Sequence, residues 1–162
     1  MGSGQAPYYA SFARSYFQSS ISVSNHGRTV YVEKLSDKNN LESLTAKVQN
    51  LEKPNWKLFI GPSDLRRTNY NDTYLYFLFP ELTPGTYYLD MEPGLSNTVN
   101  SGLAKQLLNC DVAILTDEFN SWHEPNKSNI FGSDVPNEII KKSFVFVGRW
   151  GHWTLYLNKK SS

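Results

Sequence analysis

The sequence contains a single cysteine, Cys110, among its 162 residues. One thiol excludes a disulfide framework and any zinc site built on several cysteines. An excess of either charge is missing as well, because 16 Lys and Arg stand against 15 Asp and Glu and the net charge is +1. Proteins that neutralise many phosphates carry a basic excess, so we expect no nucleic-acid partner.

Long apolar runs are also absent from the sequence. No run of about 18 apolar residues occurs, so the sequence predicts no membrane span within itself. The start of the chain lacks the apolar core of a signal peptide. Residues 1–7 resemble a cloning leader followed by a disordered start. We assign residues 8–160 to one domain, because their number is typical of single domains.

Aromatic residues, by contrast, are plentiful and make up 14% of the chain. In segment 8–17 they fall on one face of a predicted helix. Two interpretations of this helix stay open. It packs its aromatic face on the domain, or it is the trailing end of a membrane-proximal helix, since tyrosines favour the level of lipid headgroups.

Hydrophobic periodicity predicts an alternation of strands and helices after residue 20. The predicted hairpins are 21–33, with a three-residue loop, and 143–157, and the predicted inner strands are 56–60, 86–90 and 112–116. The predicted helices are 41–52, capped by Asn40, and 72–79, 102–109 and 134–140. Strands that alternate with helices imply right-handed crossovers. We therefore predict an α/β fold: a small three-layer sandwich with a mostly parallel central sheet and one or both antiparallel hairpins at its edge, the closing hairpin being the simplest addition.

Three polar loops follow the predicted inner strands, at 61–73, 90–94 and 117–126. The carboxyl ends of parallel strands meet at one edge of the sheet, and ligands of open α/β sheets bind there. The loops together offer carboxylates, amides, a histidine and two arginines. We expect the functional site at this carboxyl edge.

The adjacent arginines Arg66 and Arg67 have two interpretations. Guanidinium groups near a helix N-terminus suit a phosphate or carboxylate ligand. Alternatively, the two arginines pair with Asp64 and Asp72 and stabilise the loop. Neighbouring residues of an extended loop point in opposite directions, which makes it difficult for both arginines to hold one ligand.

The other candidates on these loops are carboxylates and a tryptophan. General acid–base chemistry or cation binding could use Asp90, Glu92, Asp117, Glu118 and Glu124. Such residues are equally common as turn and helix caps. Trp122 lies in a polar loop, where its ring could stack on a sugar or pack against the protein. The chain has no glycine-rich phosphate-binding motif and no known metal-loop spacing, so we expect no cofactor and no metal.

Several motifs of the chain resemble one family. They are GPSDLRRTNYNDT at 61–73, LTPGTYYL at 82–89, DMEPG at 90–94, WHEPN at 122–126 and VPN at 135–137. Over about residues 28–158, this order resembles the soluble C-terminal part of large bacterial membrane proteins similar to dolichyl-phosphate-mannose-type glycosyltransferases. The resemblance implies an extracytoplasmic α/β tail after many spans. In that superfamily the catalytic acid lies between spans, so no catalytic residue is carried over to this chain.

We therefore expect a water-exposed accessory domain of a membrane glycosyltransferase-like protein, on the extracytoplasmic face of a bacterial membrane. Its loops would position a glycan, a polyprenyl-phosphate-linked sugar or a partner chain, and upstream spans would supply the membrane link. The expected ligand-binding residues are Asp64, Arg66, Arg67, Asn69, Tyr70, Asp72, Glu92, Trp122, Glu124 and Asn126. One alternative is a free-standing small hydrolase or transferase that uses the loop carboxylates of a deep pocket containing Asp90 or Asp117. The other is an interaction module whose loops lock together and leave no cavity.

Overall fold

The computed structural model describes residues 21–121 and 130–161. The strands are β1 (Ile21–Asn25), β2 (Arg28–Val32), β3 (Lys57–Pro62), β4 (Thr83–Pro84), β5 (Val112–Thr116), β6 (Phe144–Trp150) and β7 (Trp153–Asn158). The helices are α1 (Leu35–Leu51), α2 (Tyr74–Leu78), α3 (Leu103–Leu107) and α4 (Val135–Ser143). The helix predicted at 8–17 lies outside the described residues.

The central sheet has the strand order β4-β3-β5-β7-β6. Strand β3 is parallel to both β4 and β5, and its Phe59 lies opposite Ala113. Strand β7 is antiparallel to β5 and to β6, so the closing hairpin extends the sheet at one edge. Strands β1 and β2 form a separate antiparallel hairpin. This arrangement confirms the predicted α/β class, with a parallel centre and an antiparallel edge.

The sheet carries an apolar core on each of its faces. Leu58 and Ile60 point to one face, where they join Leu41 of α1 and residues of α2 and the β1–β2 hairpin. Phe59 points to the other face, where it joins Leu107 of α3 and residues of α4. Both faces of β3 and β5 are therefore covered, which explains why these strands are continuous apolar runs rather than alternating ones.

The strand predicted at 86–90 is wrong. Only Thr83 and Pro84 pair with β3, and the following residues form bends. Side chains occupy the next backbone groups along this edge of β3, because Tyr76 accepts the N–H of Ile60 at 2.9 Å and the amide of Asn71 approaches the Ile60 carbonyl at 3.5 Å. With those groups taken, a longer strand at 86–90 has no ladder to join.

The first helix and the first turn also differ from their predicted bounds. Helix α1 begins at Leu35, so Asn40 lies inside it and not at its N-cap. Asp37 in the first turn is favourable beside the positive end of the helix dipole. The β1–β2 loop has two residues rather than three, because both His26 (φ 45°) and Gly27 (φ 77°) adopt the left-handed conformation that such tight hairpins require.

Candidate functional site

Two of the predicted loops meet at the carboxyl edge of the sheet. Because β3 and β5 are parallel neighbours, residues 61–73 and 117–121 leave the sheet side by side. The hydrogen bonds between them run from Ser63 Oγ to Asn120 Oδ1 (3.1 Å), from Arg67 Nη1 to Asn120 O (2.8 Å) and from Asn69 Nδ2 to Phe119 O (2.7 Å). The two loops therefore hold each other in place.

The third predicted loop reaches the same region by a different route. Glu92 is exposed at the start of a turn, where its carbonyl accepts a bond from the hydroxyl of Ser96 at 3.1 Å. The turn ends at Asn97, which is buried and donates to the carbonyl of Arg66 at 3.0 Å. A turn, and not the end of a strand, thus connects segment 90–97 to the first loop.

Arg66 is engaged by the protein itself. Its Nε and Nη2 donate to the two oxygens of Asp64, at 3.0 and 2.8 Å, and its guanidinium lies 4.6 Å from the centre of the Phe131 ring. Asp64 also accepts a bond from Asn137 Nδ2 at 2.9 Å. The hydrogen bonds from Arg66 lower the pKa of Asp64 to about 2. Arg66 therefore pairs with Asp64, which is the second of the two interpretations given for the arginines. Arg67 donates instead to the carbonyl of Asn120, so the two guanidinium groups have different partners.

Asp72 does not pair with either arginine. It is 4% exposed, and one of its oxygens accepts a bond from Trp153 Nε1 at 2.6 Å. A further bond from the hydroxyl of Thr116 reaches the same carboxyl group. Burial outweighs these bonds and raises the pKa of Asp72 above its ordinary value. The buried carboxyl group therefore holds its proton to a higher pH than a carboxyl group in water.

A groove of about 560 Å³ opens over Asp72. Strand β2, the start of α1 and the loops after β3 and β5 form its walls, which include Tyr31, Asp37, Asp72, Tyr74, Glu118 and Phe119. We call it the acidic groove. Among the described residues of its lining, acidic side chains outnumber basic ones, namely Glu33, Asp37, Asp72 and Glu118 against Lys34. The groove thus attracts cations and hydrogen-bond donors and repels anions.

Glu118 is the second titratable group of interest in the acidic groove. Partial burial raises its pKa, and the nearby charge of Asp72 raises it further. Its backbone N–H donates to Thr116 Oγ1 at 3.3 Å, and the same hydroxyl bonds Asp72. Thr116 therefore links the two carboxyl residues, and both of them favour the protonated form more than free carboxyl groups do.

The aromatic side chains of the acidic groove differ in how far a ligand can reach them. Tyr31 is 67% exposed, and Tyr74 and Phe119 are half-buried. Trp153 is only 2% exposed, so its indole serves as a hydrogen-bond donor to Asp72 and not as a stacking surface. Among the described rings of the lining, Tyr31 is thus the one most open to a ligand.

The predicted site residues fall into separate places. Asp72 lines the acidic groove, Asp64, Arg66 and Arg67 lie in the loop network beside it, and Tyr70 is exposed with its ring 6.2 Å from that of Phe119. Asn69 is buried and bonds the neighbouring loop. The predicted residues outside the described part of the chain are Trp122, Glu124 and Asn126.

Sequence reasoning missed the groove wall formed by the first hairpin and α1. Tyr31 and Asp37 lie far before the carboxyl-edge loops in the chain, so no motif joins them to Asp72. The one available signal was a large aromatic residue at an outward position of an alternating strand. Asp117, a candidate for acid–base chemistry, bonds Arg149 Nη2 at 2.5 Å instead of lining the groove.

Comparison of the chain with family models, curated proteins and solved structures gave no match. The resemblance to membrane glycosyltransferase-like proteins therefore stays a prediction. Within residues 21–121 and 130–161, no helix combines the length and the apolar character needed to cross a bilayer.

Proposed function

We propose that this domain binds a carbohydrate in the acidic groove, as the water-exposed accessory domain of a bacterial membrane glycosyltransferase-like protein. The observation that carries the proposal is the pairing of an exposed aromatic ring, Tyr31, with the carboxylates of Asp37 and Glu118 in one groove. Flat rings pack against the apolar faces of sugars, and carboxylates accept hydrogen bonds from sugar hydroxyl groups.

The size of the acidic groove is consistent with a small glycan. Its volume of about 560 Å³ lies within the roughly 300–1,000 Å³ that is typical of small-molecule sites. The loop contacts described above also favour a preformed site, because Asn120 and Phe119 are fixed by bonds from Arg67 and Asn69. A preformed site loses little conformational entropy when a ligand binds.

The charge of the acidic groove limits the ligand further. Among the described lining residues, Glu33 and Asp37, together with Asp72 and Glu118 where these are ionised, outnumber the one lysine and disfavour a phosphate group inside the groove. If the ligand is a polyprenyl-phosphate-linked sugar, its sugar occupies the groove and its phosphate stays outside. Extracytoplasmic placement and the membrane link are parts of the proposal that come from the motif resemblance at 61–73 and 82–94.

The experiment is NMR shift mapping on the isotopically labelled domain, titrated separately with a neutral hexose, an N-acetylhexosamine, an amino sugar and inorganic phosphate. We expect sugar-dependent shifts for residues 30–37, Tyr74 and 117–119, and none with phosphate. Tyr31→Ala should weaken sugar binding about tenfold, equivalent to about 1.4 kcal/mol. The matched control is Tyr87→Ala, because Tyr87 is 83% exposed and lies outside the groove lining.

Two results would contradict this function. One is the absence of shifts in the groove with every sugar at millimolar concentration. The other is equal loss of binding in Tyr31→Ala and Tyr87→Ala, which would show that the stacking surface is not in the acidic groove.

One observation favours a second candidate function, that of a small hydrolase or transferase. Asp72 and Glu118 line the same groove, and both have raised pKa values, as general acids often do. This function requires turnover of aryl glycosides or aryl esters by the isolated chain. Loss of that turnover in Asp72→Asn or Glu118→Gln, with folding retained, would establish it; sugar binding without turnover would favour the accessory role.

A further inference from the structure

A group of metal-ligating side chains lies where the β1–β2 turn, the end of α1 and the segment between α2 and β4 meet. His26 occupies the turn, Glu52 is the C-cap of α1, and Glu81 precedes β4. One nitrogen of the imidazole and one oxygen of each carboxylate all lie within 4.8 Å of one another. We call these three residues the His–Glu cluster. It shares no residue with the lining of the acidic groove.

Two oxygens of the His–Glu cluster receive no hydrogen bond from any other described residue. Glu52 Oε2 and Glu81 Oε2 are shielded from solvent, and the two carboxyl groups lie within hydrogen-bonding reach of each other. Shielded polar atoms in folded proteins are almost always paired. Two carboxylates placed together also repel each other. A cation held between them would satisfy both orphan oxygens and remove the repulsion.

The surroundings hold one ligand of the His–Glu cluster in position. Asn25 is buried and donates from Nδ2 to Glu81 Oε1 at 3.3 Å, and its Oδ1 accepts a bond from Gln49 Nε2 at 2.5 Å. This leaves Glu81 Oε2 facing His26 Nε2 at 3.9 Å. Amide groups that fix the second oxygen of a ligating carboxylate are a regular feature of protein metal sites.

The nearby basic side chains are engaged elsewhere. The ammonium of Lys53 lies 5.4 Å from the centre of the Trp56 ring and donates to Ser161 O at 3.1 Å. Arg28 donates to Phe77 O at 3.0 Å. A cavity of about 230 Å³ beside Glu52 and Glu81 gives access from solvent and room for a water ligand.

We propose that His26, Glu52 and Glu81 bind a divalent transition-metal ion, with Zn²⁺ as the best match. An imidazole with two carboxylates suits Zn²⁺, while Mg²⁺ and Ca²⁺ prefer sets made only of oxygen. Bonds of about 2.1 Å in a tetrahedral site separate ligand atoms by about 3.4 Å, so the 3.9 Å between His26 and Glu81 needs only a small closure. The bound ion would join the hairpin, α1 and the segment before β4.

The test is calorimetric titration of the full chain with Zn²⁺ alone, with Mg²⁺ as the comparison. We expect one Zn²⁺ per chain at this site and a displaced NMR signal of the His26 imidazole nitrogens. His26→Asn should weaken Zn²⁺ binding at least about tenfold without harming the fold, because asparagine tolerates the positive φ of this position. Glu52→Gln should weaken it similarly. His152→Asn is the matched control, since His152 is half-buried, like many surface histidines, and lies outside the cluster.

Three outcomes would overturn the proposal. The first is no Zn²⁺ binding by the wild-type chain. The second is Zn²⁺ binding that His26→Asn and Glu52→Gln leave unchanged while both variants stay folded. The third is a Glu52→Gln variant that unfolds at a higher temperature than the wild type whether or not Zn²⁺ is present, because that would show a proton shared between the carboxyl groups in place of a metal.

Discussion

The hydrogen bond between Trp153 and Asp72 offers the most direct test of the physical description of the groove floor. Both side chains are almost fully buried, at 2% and 4% exposure, so water cannot replace the bond when it is broken. The bond of 2.6 Å runs from a neutral donor to a carboxyl group. Hydrogen bonds to charged groups contribute about 1.5–3 kcal/mol, whereas neutral ones contribute about 0.5–1.5 kcal/mol.

A double-mutant cycle isolates this contribution from the loss of ring volume. The variants are Trp153→Phe, Asp72→Ala and the combination, each measured by urea unfolding. We expect a coupling free energy of about 1.5–3 kcal/mol where Asp72 is ionised. A second cycle with Asp72→Asn, which keeps a neutral acceptor, should give a coupling no larger than that of a neutral hydrogen bond.

The pH dependence of the same cycle has a definite sign. Folding raises the pKa of Asp72 above 3.8, so the folded protein binds this proton more tightly than the unfolded chain does. The free energy of unfolding therefore falls as pH rises from 3.8 through the folded-state pKa. Each unit of that shift corresponds to about 1.4 kcal/mol in the free energy of unfolding. Asp72→Asn should therefore gain stability relative to the wild type as pH rises. A coupling below about 0.5 kcal/mol in alkaline solution, or a difference between wild type and Asp72→Asn that does not change with pH, would refute this reasoning.

Other parts of the structure give further expectations. Arg66→Ala should raise the pKa of Asp64 from about 2 toward 3.8, measured by NMR titration. Because folding lowers this pKa, the ionised Asp64 stabilises the folded protein above pH 3.8, and this stabilisation disappears as pH falls toward about 2. An unchanged Asp64 titration would mean that Asn137 and not Arg66 controls it. Gly85→Ala would place a methyl group 2.4 Å from Cys110 Sγ. This close contact should lower the free energy of unfolding, measured in urea, by about 1–3 kcal/mol. Leu107→Ala should cost about 2–5 kcal/mol, because Leu107 is fully buried on the α3 side of the sheet; a cost below about 1 kcal/mol would show that this core is not tightly packed.

Most strands of the central sheet could be predicted from the sequence, because short-range patterns of apolar residues determine them. The apolar run at 112–116 and the period-two segments near Phe144 and Trp153 are strong signals, and the observed strands β5, β6 and β7 follow them closely. The composition of segment 86–90 did not show that no strand forms there. The bonds that take the place of strand pairing at Ile60 come from Tyr76 and Asn71, which lie earlier in the chain. Propensity describes a segment, but the neighbouring backbone decides whether a strand forms.

The candidate site was predictable only where the loops after the two neighbouring parallel strands form it. The parallel arrangement of β3 and β5 brings Asp72 and Glu118 to one edge, as the topology rule requires. The opposite wall depends on how the β1–β2 hairpin packs on α1 and α2, which no local pattern specifies. The same limit applies to the His–Glu cluster, whose members, at positions 26, 52 and 81, come together only through tertiary packing.

The bond from the Ile60 amide to the Tyr76 hydroxyl affects more than the local strand. The exposed edge of a sheet can pair with strands of other molecules, which leads to aggregation. Strand β4 protects β3 only as far as Leu58. Beyond that point a phenol from α2 saturates the next donor of β3, so the sheet is terminated there by a side chain. The domain thereby ends its sheet on this border with a two-residue strand and one tyrosine, and offers no template for intermolecular β-pairing at Ile60.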